Sequence, residues 1–457
     1  VSVQVHAFAI ENNGYSNMVA QGDPTNGAYF ISYQSDNLMR ISHEWSNINV
    51  NYPFGQWVQV TVVKNDEGTK LYFNDQLMAQ TTSTMLPTDN PFFIGVQYTG
   101  QSEFWNGRID EVRIWDRALS ETDIQTNYST EISGSEEGLV GYWKSDAGTG
   151  DILYDHTGNA NHGTINGAAW STDVPVLGCT DPYAGNYDSD ATVDDGSCSG
   201  YPDNGEFALS FDGVNNYVEI ADSDILDGMS QLTIQFYLKW DSYPFETHGK
   251  GVQVLEKWQT ADANATGSYS FYTHHDADMF TYMVQTENNQ LGVNIDLSTN
   301  MSIGTWYHIV GVYDGENSYL YLNGELKGQT EMSGNVASTS YPLELANQNN
   351  NNTTFFDGSI DEISLWNIAH TQEQIQSSMY MELNGNETGL IGYWNFNTGE
   401  GENLYDFTGN QNHGTINGAL WSTDNYVNDA PTASDIAITT NEDAIVYGAF
   451  SGSDMNG

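Results

Sequence analysis

Positive charge is scarce in this chain. Eleven Lys and Arg stand against 61 Asp and Glu among 457 residues, for a formal net charge of −50. Such a surface repels polyanions, which excludes nucleic acid and anionic lipid as partners, because both need basic patches. Cysteine numbers only two, Cys179 and Cys198, and proline ten. For an exported protein, two cysteines so close in sequence predict a disulfide. No run of about 18 apolar residues occurs, so no membrane insertion is expected. The chain opens at Val1 without Met or a signal peptide, which predicts a processed product or a fragment. Serine-hydrolase, phosphate-loop, dinucleotide and His-Glu-x-x-His signatures are all missing. No enzyme is predicted.

What is present favours strands. Aromatics make up 13% and Gly numbers 45, and Val, Ile, Thr, Tyr and Trp runs alternate with Asn-Gly and Asp-Gly turns. The acidity suits a salty exterior, where a Debye length of roughly 10 Å or less damps self-repulsion. It also suits Ca²⁺, which takes carboxylate and carbonyl oxygens.

An internal repeat sets the architecture. YDHTGNANHGTINGAAWSTD from Tyr154 recurs as YDFTGNQNHGTINGALWSTD from Tyr405, an offset of 251 residues (405 − 154). GRIDEVRIW from Gly107 recurs at the same offset as GSIDEISLW from Gly358, and GLVGYW from Gly138 as GLIGYW from Gly389. So long a period means duplicated whole domains. Upstream, Trp57 opens WVQVTVV and Trp306 opens WYHIVGVY, each followed by a strand ending in Asn-Asp or Asn-Gly, the chemistry of a tight hairpin. Each copy carries one helical candidate, Arg117 to Tyr128 and Ile368 to Tyr380. Ser120 with Asp123 and Thr371 with Gln374 act as N-terminal caps.

These repeated motifs resemble the closing half of a laminin G-like domain of the concanavalin A-like lectin/glucanase superfamily. The resemblance implies an all-β fold of two jelly-roll β-sandwiches. The second copy also has an opening half, FALSFDGVNNYVEI from Phe207, whereas nothing before Val1 matches it. The expected layout is a first domain at 1–175 lacking its N-terminal strand, a Cys-bracketed acidic spacer at 176–200 and a second domain at 201–427. From 428 to 457 the chain resembles the start of a cadherin-like or immunoglobulin-like domain of large bacterial adhesins. The Cys179–Cys198 loop would add about 3 kcal/mol by constraining the unfolded chain.

Calcium is the cofactor expected. Asp155, Thr157, Asn159 and Asn161 bring oxygen-bearing side chains into one Gly-punctuated loop, and Asp406, Thr408, Asn410 and Asn412 repeat it. The resemblance adds Asp212 of the FDG strand. The bland reading of both loops is an Asx turn that satisfies its own backbone. His162 and His413 read as loop residues, since zinc needs further ligands at close spacing. His274, His275, Asp276 and Asp278 form the densest His/Asp cluster. Asp110–Glu111 and Asp361–Glu362 are adjacent on strands, so alternation is expected to send them to opposite faces. The superfamily's glucanases carry Glu-x-Asp-x-x-Glu, and Glu121-Thr122-Asp123 followed by Thr126 does not complete it. Sugar stacking would use aromatics such as Trp45, Tyr98, Trp105, Trp258 or Tyr272, each equally at home in a core.

The function expected is calcium-dependent adhesion or recognition by an extracellular, cell-surface or secreted protein, with glycan or cell-surface protein ligands. A structural spacer or filament segment, self-associating into fibres, is one alternative. A carbohydrate-binding module of a secreted polysaccharide-degrading enzyme is the other.

Overall fold

The computed structural model describes all residues except 13, 24–26, 43–46, 83–89, 130–131, 244–250, 260–265, 275–277, 348–354, 427–431, 434–451 and 454–457. The chain divides into two units, Val1–Cys198 and Ser199–Gly457. Each is nearly all β.

The first unit contains β1 (Ser2–Ala9), β2 (Ser16–Asp23), β3 (Gly27–Tyr33), β4 (Leu38–Ser42), β5 (Asn47–Asn51), β6 (Trp57–Lys64), β7 (Thr69–Phe73), β8 (Gln76–Thr81), β9 (Phe92–Ile94), β10 (Gly107–Trp115), β11 (Leu139–Trp143), β12 (Ile152–Leu153) and β13 (Gly163–Thr164). One six-stranded sheet runs β11-β10-β1-β6-β7-β8 and a five-stranded sheet runs β5-β4-β3-β2-β9. Alternation decides which side chains meet between them. Val3, Val5, Ala7 and Ala9 of β1 and Val58, Val60 and Val62 of β6 enter the core, where all are buried.

The spacer belongs to this unit. Its strands β14 (Leu177–Gly178) and β15 (Val193–Asp194) pair in parallel. Val193 packs with Trp57 and Tyr128, against Phe8 and Leu177. Cys179 and Cys198 are disulfide-bonded. The spacer aspartates form turns: Asp181, Asp188, Asp194 and Asp195 each accept from the backbone N–H two residues on.

The second unit contains β16 (Ala208–Asp212), β17 (Tyr217–Ile220), β18 (Leu232–Trp240), β19 (Gln253–Gln259), β20 (Thr266–Thr273), β21 (Met279–Gln285), β22 (Gln290–Asp296), β23 (Trp306–Tyr313), β24 (Asn317–Leu322), β25 (Glu325–Glu331), β26 (Leu343–Leu345), β27 (Asp357–Trp366), β28 (Leu390–Trp394), β29 (Asn403–Leu404), β30 (Gly414–Asn417) and β31 (Leu420–Ser422). Its two eight-stranded sheets run β25-β24-β23-β18-β27-β16-β31, with β28 beside β27, and β22-β21-β20-β19-β26-β17-β30-β29. Strand by strand, β18–β30 repeat β1–β13. Three strands, β16, β17 and β31, have no counterpart among the first unit's described residues, and β16 and β17 carry the FDG hairpin.

The helices are shorter than the sequence predicts. α1 is Glu121–Ser129 and α2 is Gln372–Ser378. Ser120 and Thr371 cap them: Ser120 Oγ accepts from Asp123 N, and Thr371 forms a full capping box with Gln374. Residues ahead of the caps are connector, because a cap residue itself has extended backbone. The segment around α2 covers the outer face of β18. Thr233 Oγ1 donates to Ile368 O, Tyr237 hydrogen-bonds Met379 O, and Tyr237 stacks on Tyr426. The expected adhesin-type domain at 428–457 lies outside the described residues, save two short paired strands, Thr432–Ala433 and Gly452–Ser453.

Candidate functional site

The Asp-x-Thr-x-Asn-x-Asn loops come first, because the sequence points there. Asp155 Oδ1 accepts from Tyr142 N, Thr157 N and Thr157 Oγ1, at 3.1, 2.9 and 2.8 Å. Its Oδ2 accepts from Asn161 N at 2.9 Å. Asn159 and Asn161 both donate from Nδ2 to Val140 O. The second copy repeats this around Asp406, with donors Tyr393 N, Thr408 N, Thr408 Oγ1 and Asn412 N, while Asn410 Nδ2 donates to Ile391 O. Asp155 N and Asp406 N donate to His162 Nδ1 and His413 Nδ1. Trp143 and Trp394 donate from Nε1 to Asn161 O and Asn412 O.

The loop is therefore a clasp that ties the Gly-Tyr-Trp strand to the following turn. The histidines are loop acceptors, as expected. Four donors point at each carboxylate, so a cation there would have to displace them. Burial pushes Asp155 upward, but hydrogen bonds from Thr157, Asn161 and Tyr142 outweigh it and leave the carboxyl below its ordinary range. At Asp406, fully buried, desolvation wins and the carboxyl lies above it. Asp212 sits apart, with Oδ1 accepting from Val214 N and Asn215 N in its own turn. Among the described residues no group of three or more His, Cys, Asp or Glu is arranged to hold a metal ion. His275 and Asp276 lie outside the described residues.

The adjacent acid pairs differ from the alternation argument. Between Gln4 and His6 of β1 the register with β10 slips by one residue, and between Gln235 and Tyr237 of β18 it slips likewise against β27. Glu111 and Glu362 sit at these bulges with φ of 51° each. A bulge breaks strict alternation. Asp361 is accordingly buried and Glu362 half-buried, and the charge of Glu206 reaches both. Glu362 Oε2 accepts from Tyr393 OH, and Asp361 Oδ2 from Tyr426 N. In the first unit Glu111 instead bonds Arg113 Nη2 at 2.7 Å as well as Tyr142 OH. Position 364 holds Ser where 113 holds Arg, so the second pair lacks the cation that the first has at that place. Burial first, with Glu382, Glu206 and Asp203 adding, pushes Glu362 up to about 8. The Glu121–Asp123 stretch lies on α1, where Asp123 holds Arg117 and the Ser120 cap. It forms no strand-face acid pair.

Polar and aromatic groups do converge on the outer face of the second unit's second sheet. Val218, Leu343, Leu345, Phe271, Phe280, Tyr282 and Val293 point into the core, so the alternate residues point outward. One outward row is Tyr272, Thr281 and Asn294, directly opposite on β20, β21 and β22. Thr281 Oγ1 donates to Asn294 Oδ1 at 2.7 Å and meets His274 Nε2 at 2.9 Å. The Tyr272 ring lies 5.1 Å from the His274 ring. The next row places Glu219, Glu344 and Glu256 opposite one another on β17, β26 and β19. Like charges so placed repel. Burial, then Glu219, pushes Glu344 up to about 7, and Asn347 donates to it.

Tyr272 and His274 are readable as candidates in the sequence. Thr281, Asn294 and the glutamate row are not, because their meaning lies in cross-strand register. The signal is the period-2 spacing of MFTYMVQ, whose polar positions face away from the core. Of the other aromatics, Trp105 packs beside Tyr33 and Tyr52, Trp258 is buried, and Tyr98 packs on Phe30. Trp45 lies outside the described residues. In the first unit, the matching sheet is closed by an internal ion pair. Arg40 Nη2 meets Glu103 at 3.1 Å, and Asn17 and Gln97 donate to the same carboxylate.

A laminin G family model, described as the concanavalin A-like lectin/glucanases superfamily, matches residues 4–125 and 212–376, more than half the chain. The chain belongs to that superfamily. The chain is similar over 105 residues to mouse pappalysin-1, at 30% identity, a stretch covering 22% of this chain and 6% of that protein. Among solved structures, a Bacteroides ovatus protein described as carbohydrate binding is similar at 17% identity and TM-score 0.39, over 52% of this chain and 65% of its own. Domains LG4-5 of the mouse laminin α1 chain are similar at 10% identity and TM-score 0.27, over 80% of this chain and 81% of theirs. Laminin G-like domains are usually non-catalytic.

Proposed function

We propose that this chain is a non-catalytic recognition segment of an extracellular protein, and that its second laminin G-like unit binds a neutral glycan. The observation that carries the reading is the row Tyr272–Thr281–Asn294 beside His274. Sugar recognition needs an aromatic face next to side chains that both give and accept hydrogen bonds; Tyr272, His274 and exposed Asn294 supply them, with buried Thr281 holding His274 and Asn294 in place. A net charge of −50 favours neutral over sulfated or sialylated ligands. The adhesion role follows if the glycan is displayed on a cell surface.

A glycan array on the full chain is the test. Asn294→Ala and Tyr272→Ala should each weaken binding about tenfold or more, with melting temperature little changed for exposed Asn294. Array signal unaffected by both substitutions would place the ligand elsewhere.

Calcium belongs to this reading through charge. The support is 61 carboxylic residues against 11 cations, together with acidic turns in the spacer. A cation bound only by folded protein stabilises it by mass action. Excess chelator at low ionic strength is expected to lower both unfolding transitions by several degrees, with Ca²⁺ restoring them and Mg²⁺ doing so less well. Unmoved transitions would remove calcium from the account.

A further inference from the structure

Lys257 is a buried amine outside the proposed recognition row. It follows Leu255 by two residues on β19, so alternation puts it on the core-facing side of the strand, and its side chain is 0% exposed. Lysine is almost never so placed without partners. Two carboxylates meet it. Asp222 lies just past β17, and its Oδ1 accepts from Lys257 Nζ. Asp227 directly follows the helical turn Asp224–Leu226 and brings Oδ2 to 3.3 Å from the same Nζ. Tyr341 O accepts from Nζ at 2.6 Å. Strand β26 lies between β17 and β19, so the amine reaches across a strand to Asp222. In the first unit Gln21 of β2 stands at this place and donates to Asn90 O, which precedes Tyr341 by the repeat offset. The amine is therefore a feature of the second unit alone among the two matched positions.

The two carboxyls have different surroundings. Asp227 is buried, and its Oδ2 also accepts from Thr339 N at 2.9 Å, Thr339 Oγ1 at 3.3 Å and Ser268 Oγ at 3.4 Å. Burial still pushes its carboxyl above the ordinary range, so it is held in place and can take up a proton. The Asp222 side chain is 33% exposed, which gives a small leaving molecule a way out. Lys239 and Lys327 also face carboxylates, but Asp424 and Glu325 are mostly exposed, and water competes there for both partners.

We infer that Lys257 and Asp222 condense into an intramolecular amide bond, with Asp227 relaying the proton. Lys257 Nζ gives a proton to Asp227, and the neutral amine attacks Cγ of Asp222. Asp227 passes the proton to one Asp222 oxygen, which takes a second proton from Nζ and leaves as water. One N–C bond forms and one C–O bond breaks. An ammonium and a carboxylate become one amide and one water, with no oxidant, reductant or cofactor. Fixed proximity makes the step unimolecular. Desolvation favours the neutral amide over a buried ion pair. Asp227 afterwards keeps its bonds from Thr339 and Ser268. The new bond ties β17 to β19 over β26.

The experiment is an intact-mass measurement on the full chain, reduced and denatured. The mass is expected to lie one water below that of the sequence, and peptide mapping should recover residues 222 and 257 in one cross-linked species. Lys257→Arg keeps the positive charge without the amine and should restore the sequence mass, as should Asp222→Ala. Asp227→Asn keeps the shape and should leave most chains unlinked. The sequence mass in the parent chain overturns the inference and leaves a plain ion pair, whether or not any variant folds. So does a loss of water that persists in Lys257→Arg. A loss that mild base reverses is a cyclic imide at Asp227-Gly228 and overturns it too. Full linkage in Asp227→Asn overturns the relay.

Discussion

Replacing Asp406 by Ala should lower the stability of the second unit by about 3–5 kcal/mol, among the largest losses a single substitution produces. The carboxylate is fully buried and accepts four hydrogen bonds. Its removal leaves Tyr393 N, Thr408 N and Asn412 N facing a cavity, and each orphaned donor costs about 1–3 kcal/mol. The loop then loses its hold on Trp394, which anchors the core through Asn412 O. Asp406→Asn should also destabilise, because an amide nitrogen meets donors. Asp155→Ala should cost less, since that loop is more solvated. Denaturant unfolding of the full chain, followed for both units, measures this. Equal, small losses at 155 and 406 would mean the clasp does not hold the sandwich.

Stability should fall as pH rises from about 6.5 to 8.5. Burial, then Glu111, pushes Asp110 up to about 7. Glu344 lies at about 7 and Glu362 at about 8, and burial followed by Glu362 raises Asp361. Each folded-state value exceeds its unfolded value, so the native protein holds protons that the unfolded chain releases. That contribution is complete below the unfolded carboxyl pKa and disappears as pH passes the folded values. His6 and His308 act in the opposite sense. Burial lowers each to about 3, so unfolding takes up protons below about pH 6.5. Asp155 and Asp424, held below their ordinary range, act only in acid. The interval above 6.5 therefore belongs to the raised carboxyls. For Glu344, most of whose contribution is already lost below pH 6.5, the part lost within this interval is below about 1 kcal/mol. Urea midpoints at the two pH values, in constant high salt, provide the measure. Glu362→Gln with Glu344→Gln should flatten the difference. Identical midpoints in the parent chain would show that these groups ionise freely in the fold.

Much of the fold is legible because the domain occurs twice. The 251-residue offset exposes the copies, and β-branched alternation in WVQVTVV and WYHIVGVY exposes their central strands. The missing hairpin is visible as a stretch matched only at 207–220. The site is less legible. Asp155 and Asp406 stand out as oxygen clusters, yet only coordinates show donors converging on them. Asp361 and Glu362 look like opposite faces of a strand until the bulge at Glu362 appears. The Tyr272 row and the glutamate row are assembled from strands far apart in sequence, and register across a sheet is set by tertiary packing.

Four of the eleven cations lie indoors. Arg40, Arg113, Lys239 and Lys257 are all buried, each in an ion pair. Among the described residues eight acids are buried as well, Asp110, Asp155, Asp181, Asp227, Glu256, Glu344, Asp361 and Asp406, so the exterior keeps a large anionic excess. Two such molecules meet as like-charged colloids, and their close approach is expected to wait until that field is damped. Dilute buffer is expected to keep the chains farther apart than brine does, as light scattering against salt would measure.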